Sequence, residues 1–476
     1  MAGPRVTTPP LDPPRPAGLA DLAPLDRASQ QKAWNWYDWA NSAFYTTVLS
    51  VLFAPYMITV AGKAAGCAHA NDACTRTVNV LGLHLAAGSL PSYLTSFATI
   101  ASAFLLPIVG AFVDRSARKK WHMAGYAYAG AFFAALLFFL KGENWQLGAV
   151  AVILASILGG CSLISYYAIL VDISTEDERD GASSRGWAWG YLGGGLLLAI
   201  NLVIVEGHDT FGISKAMAVR VSLLSAAIWW AGFTLIPLRR LRNYEPRNVV
   251  EEQGNGPARA TVLQRSFGQL FTTLKELRKY PMTLTFLLAY LFFNDGIQTV
   301  IYEASTYGSK QLKFSQTVLI ATILLIQFVA FGGALFFGRL ARRYGSYRSI
   351  LWGTFAWMGI VVLALFLPEK NVALFLVLAV AIGVVLGGTQ ALSRSFFSLL
   401  IPRGREGEYF SLYGAAERGT SWFGTLLFGV MFQVTGSYRP AILALIVFFV
   451  LGAFFLLRLD PERGIREAGN RVPAVV

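Results

Sequence analysis

The chain has 476 residues, 55% of them apolar and only 14% charged, with a net charge of +13. A soluble domain usually carries about 25% charged residues, and here the apolar residues gather in runs of about 20, the length that crosses a hydrocarbon core. The basic residues sit in short loops between those runs, as topology signals do, which argues against nucleic acid as a partner.

Residues 1–33 are Pro-rich and polar and read as a disordered cytoplasmic tail, with no signal peptide. Six apolar runs follow within 34–237: roughly 38–61, 91–113, 121–140, 147–172, 186–205 and 217–237. In the first, Asp38, Asn41, Tyr45 and Tyr56 recur at a spacing that places them on one helix face. Carboxylate and amide groups are costly in lipid, so this face should look inward. Asp38, close to the interface, suits capping or gating as well as substrate contact. Cys67 and Cys74 share one hydrophilic loop and can form a disulfide if it faces an oxidising compartment. Cys161 lies inside a run and reads as a small core residue. Span four also offers Ser162, Ser165, Tyr166 and Tyr167.

Residues 238–281 form a basic linker, with a soft Gly and Asn stretch at 254–257. A second set of six runs fills 282–458: roughly 282–303, 316–338, 348–367, 371–397, 411–434 and 440–458. Residues 459–476 are read as a second cytoplasmic tail. Asn294, Asp295 and Gln298 lie in span seven, and Gly296 breaks the run beside Asp295. A carboxylate near mid-membrane is expensive to keep charged, which makes Asp295 a candidate for loading and releasing a proton. Arg394 in span ten is a candidate for a substrate carboxylate, because a guanidinium can fork onto one with two hydrogen bonds. The competing expectations for Arg394 are snorkelling to the interface or an ion pair with Glu417. Tryptophans 34, 36, 39, 187, 189, 229 and 230 lie near span ends and read mainly as an interfacial belt.

Of the 40 Lys and Arg residues, only Lys63, Arg76, Lys141, Lys215, Lys310, Lys313, Lys370 and Arg439 fall in odd-numbered loops. The positive-inside rule then places both termini and the even loops in the cytoplasm. The halves also repeat. One offset of 228 residues relates Gly110 to Gly338, Gly159 and Gly160 to Gly387 and Gly388, and Gly186 to Gly414. The expectation is an all-α membrane protein of twelve transmembrane helices in two pseudo-symmetric six-helix bundles, one known transporter plan.

Gly110, Asp114, Arg115, Arg118 and Lys119 resemble the loop 2–3 signature of the major facilitator superfamily. Ala117 stands where that pattern has its second Gly. The second-half copy keeps Gly338, Arg343 and Gly345 but has Arg342 in place of the Asp. The stretch 34–48, with its Trp, Tyr, Asp38 and Asn41, is similar to the entry helix of the vacuolar amino-acid effluxers of yeast autophagy and their bacterial relatives. The stretch 290–300 resembles the seventh helix of the same branch. Drug/proton antiporters carry a Pro-containing glycine motif in span five, which Gly190, Gly193 and Gly194 do not match.

The resemblance implies a secondary transporter of small solutes that works by alternating access and exports neutral amino acids or similar zwitterions. Asn41, Tyr45, Tyr166, Asn294, Asp295, Gln298 and Arg394 are the candidate substrate residues. Asp38, Gly110, Asp114, Arg115, Arg118, Gly338 and Arg343 are the candidate gating residues. Protons are the candidate coupling ion, the lipid bilayer is the other partner, and no cofactor or metal is called for. A monomer in a bacterial inner membrane is expected. The alternatives are a transporter of amphiphiles, such as lysolipids or drugs, and a non-transporting sensor or scaffold. No metal-hydrolase, nucleophile-elbow or Walker pattern is present, so an enzyme is not expected.

Overall fold

The computed structural model describes residues 24–67, 76–80, 82–244, 275–419 and 421–476. The apolar runs become helices because in a bilayer every backbone polar group must be satisfied within the segment. The first half comprises α1 (Pro24–Ala64), α2 (Leu90–Asp114), α3 (Lys119–Phe139), α4 (Trp145–Asp172), α5 (Arg179–Glu206) and α6 (Lys215–Arg240). The second comprises α7 (Pro281–Thr306), α8 (Gln316–Tyr344), α9 (Ser346–Leu365), α10 (Val372–Leu399), α11 (Glu406–Gly419), α12 (Ser421–Thr435) and α13 (Tyr438–Leu457), followed by a short α14 (Pro461–Glu467). Among the described residues, eleven of these helices are long and apolar enough to span a membrane. The pair α11 and α12 takes the place of the expected span 411–434. Side chains seal several starts: Ser214, Ser315 and Asn371 each accept a hydrogen bond from a backbone N–H three residues on.

Large apolar side chains cover the outer faces of the helices. Phe97, Ile100, Phe104, Phe132, Val203 and Ile228 are each more than half exposed. A surface of that kind suits lipid and not water. The protein is an integral membrane protein.

The expected boundaries shift in three places. Helix α1 starts at Pro24, inside the segment read as a tail, because Gln30 and Gln31 are buried there and Arg27 pairs with Glu178 at 3.0 Å. The C-terminal tail is also seated: Asn470 donates to the carbonyls of Leu399 and Ile401, and the Ala474 amide donates to Asp177. Most of the linker, residues 245–274, lies outside the described residues. Third, Phe44–Leu52 within α1 is π-helical. That wider winding breaks the 3.6-residue spacing expected to align Asp38, Asn41, Tyr45 and Tyr56. Tyr56 instead donates to the carbonyl of Leu140, inside the first half.

The start of α1, the C-terminal residues 470–476, the Arg115–Lys120 turn and the Arg239–Arg242 cluster share one face of the helix bundle, called the basic face below. The opposite face carries the loop after α1 and a short antiparallel hairpin, β1 (Thr77–Val80) with β2 (Leu83–Ala86).

Two packing seams join the halves, α2 and α4 against α11, and α5 against α8 and α10. Both use a glycine related by the internal repeat. A Cβ on Gly110 would collide with the Gly407 carbonyl, and one on Gly338 would lie 2.6 Å from the Ser184 Cβ. Backbones approach this closely only where one side lacks a side chain.

Cys67 is disulfide-bonded, Cys161 is a buried thiol, and Cys74 lies outside the described residues. Cys67 should therefore resist an impermeant thiol reagent until an impermeant reductant is added from the side opposite the basic face. Mass spectrometry of sided vesicles checks this. Labelling of Cys67 without reductant, or reduction only from the basic side, would contradict the arrangement.

Candidate functional site

Arg394 on α10 is 1% exposed, and its charge is met by Asp38 on α1. Its Nη2 donates to Asp38 Oδ2 at 3.1 Å and its Nη1 to Oδ1 at 3.4 Å. Two further donors go to Ser183 on α5: Nε to Oγ at 2.9 Å and Nη2 to the carbonyl at 3.0 Å. The Tyr166 hydroxyl donates to Asp38 Oδ2 at 2.6 Å. Four rings surround the guanidinium, with Cζ 4.8 Å from the centroid of Trp34, 5.5 Å from Tyr166, 5.4 Å from Tyr167 and 5.4 Å from Trp187. Trp34 stacks on Tyr166 at 4.1 Å and donates its indole N–H to the Tyr166 carbonyl. Gly186 makes the room, since a Cβ there would lie 2.5 Å from Asp38 Oδ2 and 3.0 Å from Arg394 Nη2.

This arrangement corrects two expectations. Arg394 neither snorkels nor pairs with Glu417, because Asp38 and Ser183 satisfy it inside the protein. Trp34 is fully buried and Trp187 faces the guanidinium, so these two do not belong to an interfacial belt. Trp230, also fully buried, packs on Phe44.

A second layer of contacts between the halves lies nearer the basic face. The Asp114 carboxylate accepts from the backbone amides of Gly407 at 2.6 Å and Glu408 at 2.8 Å. It thus caps the start of α11, where a negative charge also meets the positive end of the helix dipole. Arg179 donates to the Ser398 carbonyl at 3.0 Å, and Ser183 to that of Ala391 at 2.7 Å. Ser395 donates to Asp180, and Arg403 pairs with Glu176 at 3.0 Å. Of the expected gating set, Gly110, Asp114, Gly338 and Asp38 lie on these contacts. Arg115 and Arg118 are exposed. The buried cation of that turn is Lys119, paired with Asp172 at 2.9 Å. Arg343 is exposed with its guanidinium over Tyr344, 5.3 Å from the ring centroid.

The expected substrate residues separate into groups. Asn41 donates to the Tyr37 carbonyl of its own helix. Tyr45 lies against Gly159 on α4, within the first half. Tyr166 belongs to the Asp38 cluster. Asn294 is the hub of the second half: it accepts from Gln390 at 2.8 Å and from Gln298 at 3.5 Å, and it donates to the Glu417 carbonyl at 3.1 Å. That ties α7, α10 and α11 together. Asp295 is 1% exposed, and the backbone amide of Gly424 on α12 approaches its carboxylate. Gln390 Oε1 is buried and unmet. Among the described residues, no hydrogen bond joins Asn41 to Asn294, Asp295 or Gln298.

Sequence reasoning missed Ser183 and Gly186 as parts of this site, and passed over Trp187. One signal was present: residues 183, 186 and 187 share a helix face.

A family model described as "Vacuole effluxer Atg22 like" matches residues 27–179 and 171–469. The chain is 29% identical to the uncharacterized MFS-type transporter YxiO of Bacillus subtilis, over 93% of this chain and 98% of that protein. It is 24% identical to autophagy-related protein 22 of Kluyveromyces lactis, over 95% and 98% respectively. Among solved structures, the transporter FucP in the outward conformation superposes with a TM-score of 0.61 at 12% identity, covering 92% of this chain and 99% of that one. The proton:xylose symporter XylE gives 0.63 at 13% identity, covering 91% and 96%. At such identities the structures speak for the fold alone, which is that of the major facilitator superfamily. The chain is a membrane transporter and not an enzyme, and it belongs to the Atg22-like vacuole effluxer family.

Proposed function

We propose that the protein is a secondary active transporter that exports neutral amino acids or similar zwitterionic metabolites by alternating access. The observation that carries this reading is the buried Asp38–Arg394 pair, which joins the halves at one end of the bundle. With the bonds of Asp114 on α2 to α11 and of Arg179 on α5 to α10, it closes the basic face. The positive-inside rule makes that face cytoplasmic, so the described state is closed to the cytoplasm. A transporter must part these contacts to load from the cytoplasm. The effluxer name of the family and the polar cluster of Asn294, Gln298 and Gln390 favour a small polar substrate over an amphiphile. The protein acts as a monomer in the bacterial inner membrane, with both termini inside and protons as the driving ion. Counterflow of labelled leucine in proteoliposomes tests the reading, alongside a thermal-shift screen of amino acids, dipeptides and lysolipids. Stabilisation by lysolipids alone would replace amino acids with amphiphiles.

Two variants test the division of labour. Asp114→Asn keeps one acceptor for α11 but loses the charge at the helix N-terminus, an effect of about 0.3–1 kcal/mol. Transport should slow while substrate affinity changes by no more than a few-fold, because the residue lies on the seam. A large loss of binding at normal exchange rates would contradict that placement.

Asp295 is the candidate proton carrier. Its carboxylate is buried in a span, and holding it charged there costs roughly 3 kcal/mol or more. Asp295→Asn should abolish accumulation driven by an imposed pH gradient while leaving counterflow measurable. If the carboxylate only packs the bundle, Asn would serve as well. Gradient-driven uptake at the wild-type rate by the Asn variant would end the coupling role.

A further inference from the structure

The contact between Asp38 and Arg394 is unequal in construction. The hydrogen-bond partners and facing rings of the guanidinium all come from the first half: Trp34 and Asp38 on α1, Tyr166 and Tyr167 on α4, Ser183 and Trp187 on α5. The second half supplies the cation, with Tyr413 and Glu417 of α11 in an outer layer behind Tyr167. The surround is also held together without the cation. Trp34 stacks on Tyr166 and bonds to its carbonyl, and the Tyr166 hydroxyl bonds to Asp38. Gly186 keeps the space open. Aromatic faces around a carboxylate form a receptor for an organic cation.

When the halves part at this end, Arg394 leaves with α10. The cage then holds an uncompensated carboxylate, and Arg394 is left without its counter-ion. Separated buried charges of this kind are strongly unfavourable unless each finds a new partner. A zwitterion supplies both. We propose that the cage is the binding site for the substrate's ammonium group, and that Arg394 occupies it as an intramolecular stand-in while the cytoplasmic gate is shut. The ammonium takes the cage and Asp38, and the substrate carboxylate takes the freed guanidinium fork. Closing the gate returns Arg394 to the cage and drives the ammonium out of it. This inference rests on the reading of the protein as an exporter of zwitterions, and it assigns the recognition element.

The test empties the cage in the purified full-length protein. Arg394→Ala should gain a response to methylguanidinium at millimolar concentration, with Tm rising by about 3 °C or more, while the wild type stays unmoved. The double variant Asp38→Asn with Arg394→Ala should not respond. Arg394→Gln, which can still bond Ser183, replaces the alanine variant if that fails to fold. In wild-type proteoliposomes, leucine methyl ester, which keeps the ammonium, should inhibit leucine counterflow at least about tenfold more strongly than N-acetyl-leucine, which lacks it. An emptied cage that ignores methylguanidinium, an equal response by the wild type, or equal inhibition by the two analogues would overturn the proposal. The two readings fail separately. Leucine counterflow with an unresponsive cage retires the cage and keeps the transporter. A responsive cage without leucine counterflow keeps the cation site and removes neutral amino acids as the substrate.

Discussion

One buried charge pair governs the closed end of this molecule. A guanidinium and a carboxylate withdrawn from water are tolerated only when geometry and extra hydrogen bonds offset desolvation. Here both conditions hold. Asp38 meets two nitrogens of Arg394, Ser183 takes two further donors, Tyr166 bonds the carboxylate, and four rings face the cation. Removing one partner of such a pair typically costs about 3–5 kcal/mol. In the proposed cycle the pair acts less as glue than as a switch with two acceptable settings, closed on itself or opened onto ligands that replace each charge. A ligand can shift an equilibrium only by its differential affinity for the two states. A charge-matched ligand has that differential here, because it compensates both ions in the open state alone.

The internal repeat shows how two similar halves came to differ. Gly110 and Gly338 both let helices from opposite halves approach to backbone contact. Only the first copy adds a carboxylate, Asp114, which caps α11. In the second copy Arg342 stands at the matching place, and the neighbouring Arg343 rests on Tyr344 at the surface. The corresponding seam between α5 and α10 is held by Arg179, Ser183 and Asp180 reaching to Ser398, Ala391 and Ser395. Close packing is thus shared by both seams, while the electrostatics are distributed unevenly. The α2–α11 seam hinges on one capping charge, and the α5–α10 seam on several weaker bonds.

The spans and the internal repeat were legible because lipid leaves helices little alternative to long apolar runs. The early start of α1 was not, since Gln30 and Gln31 are polar residues buried by tertiary contact and carry no hydropathy signal. The π-helical stretch at Phe44–Leu52 defeated a face drawn at 3.6 residues per turn. Trp34 and Trp187 were read as belt residues because a Trp near a span end has the same sequence signature whether it faces lipid headgroups or a buried guanidinium. Arg394 was recognised as a candidate, yet its counter-ion lies 356 residues away on α1. No local pattern encodes a pairing across the two halves. Sequence spacing groups residues on one helix, and this site is made between helices.

The placement of charge across the bundle suggests why the second half keeps Asp295 apart from the gate. At the gate, each ion has an opposite partner in the closed state, so the local charge is balanced before any ligand arrives. Around Asp295 the described donors are few: the Gly424 amide approaches its carboxylate, and Gln390 Oε1 is buried and unmet. Such a cluster is costly as it stands, and a proton is the smallest species that relieves it. A proton here and a zwitterion at the gate would then act on different helices, α7 on one side and α1 with α10 on the other. They are linked through Asn294, which bonds Gln390 on the same helix as Arg394, four residues earlier. A shift of α10 that withdraws Arg394 from its cage must also move Gln390 against Asn294. The polar hub beside Asp295 is thereby mechanically tied to the gate, and that tie is a physical route by which protonation and gate opening can bias one another.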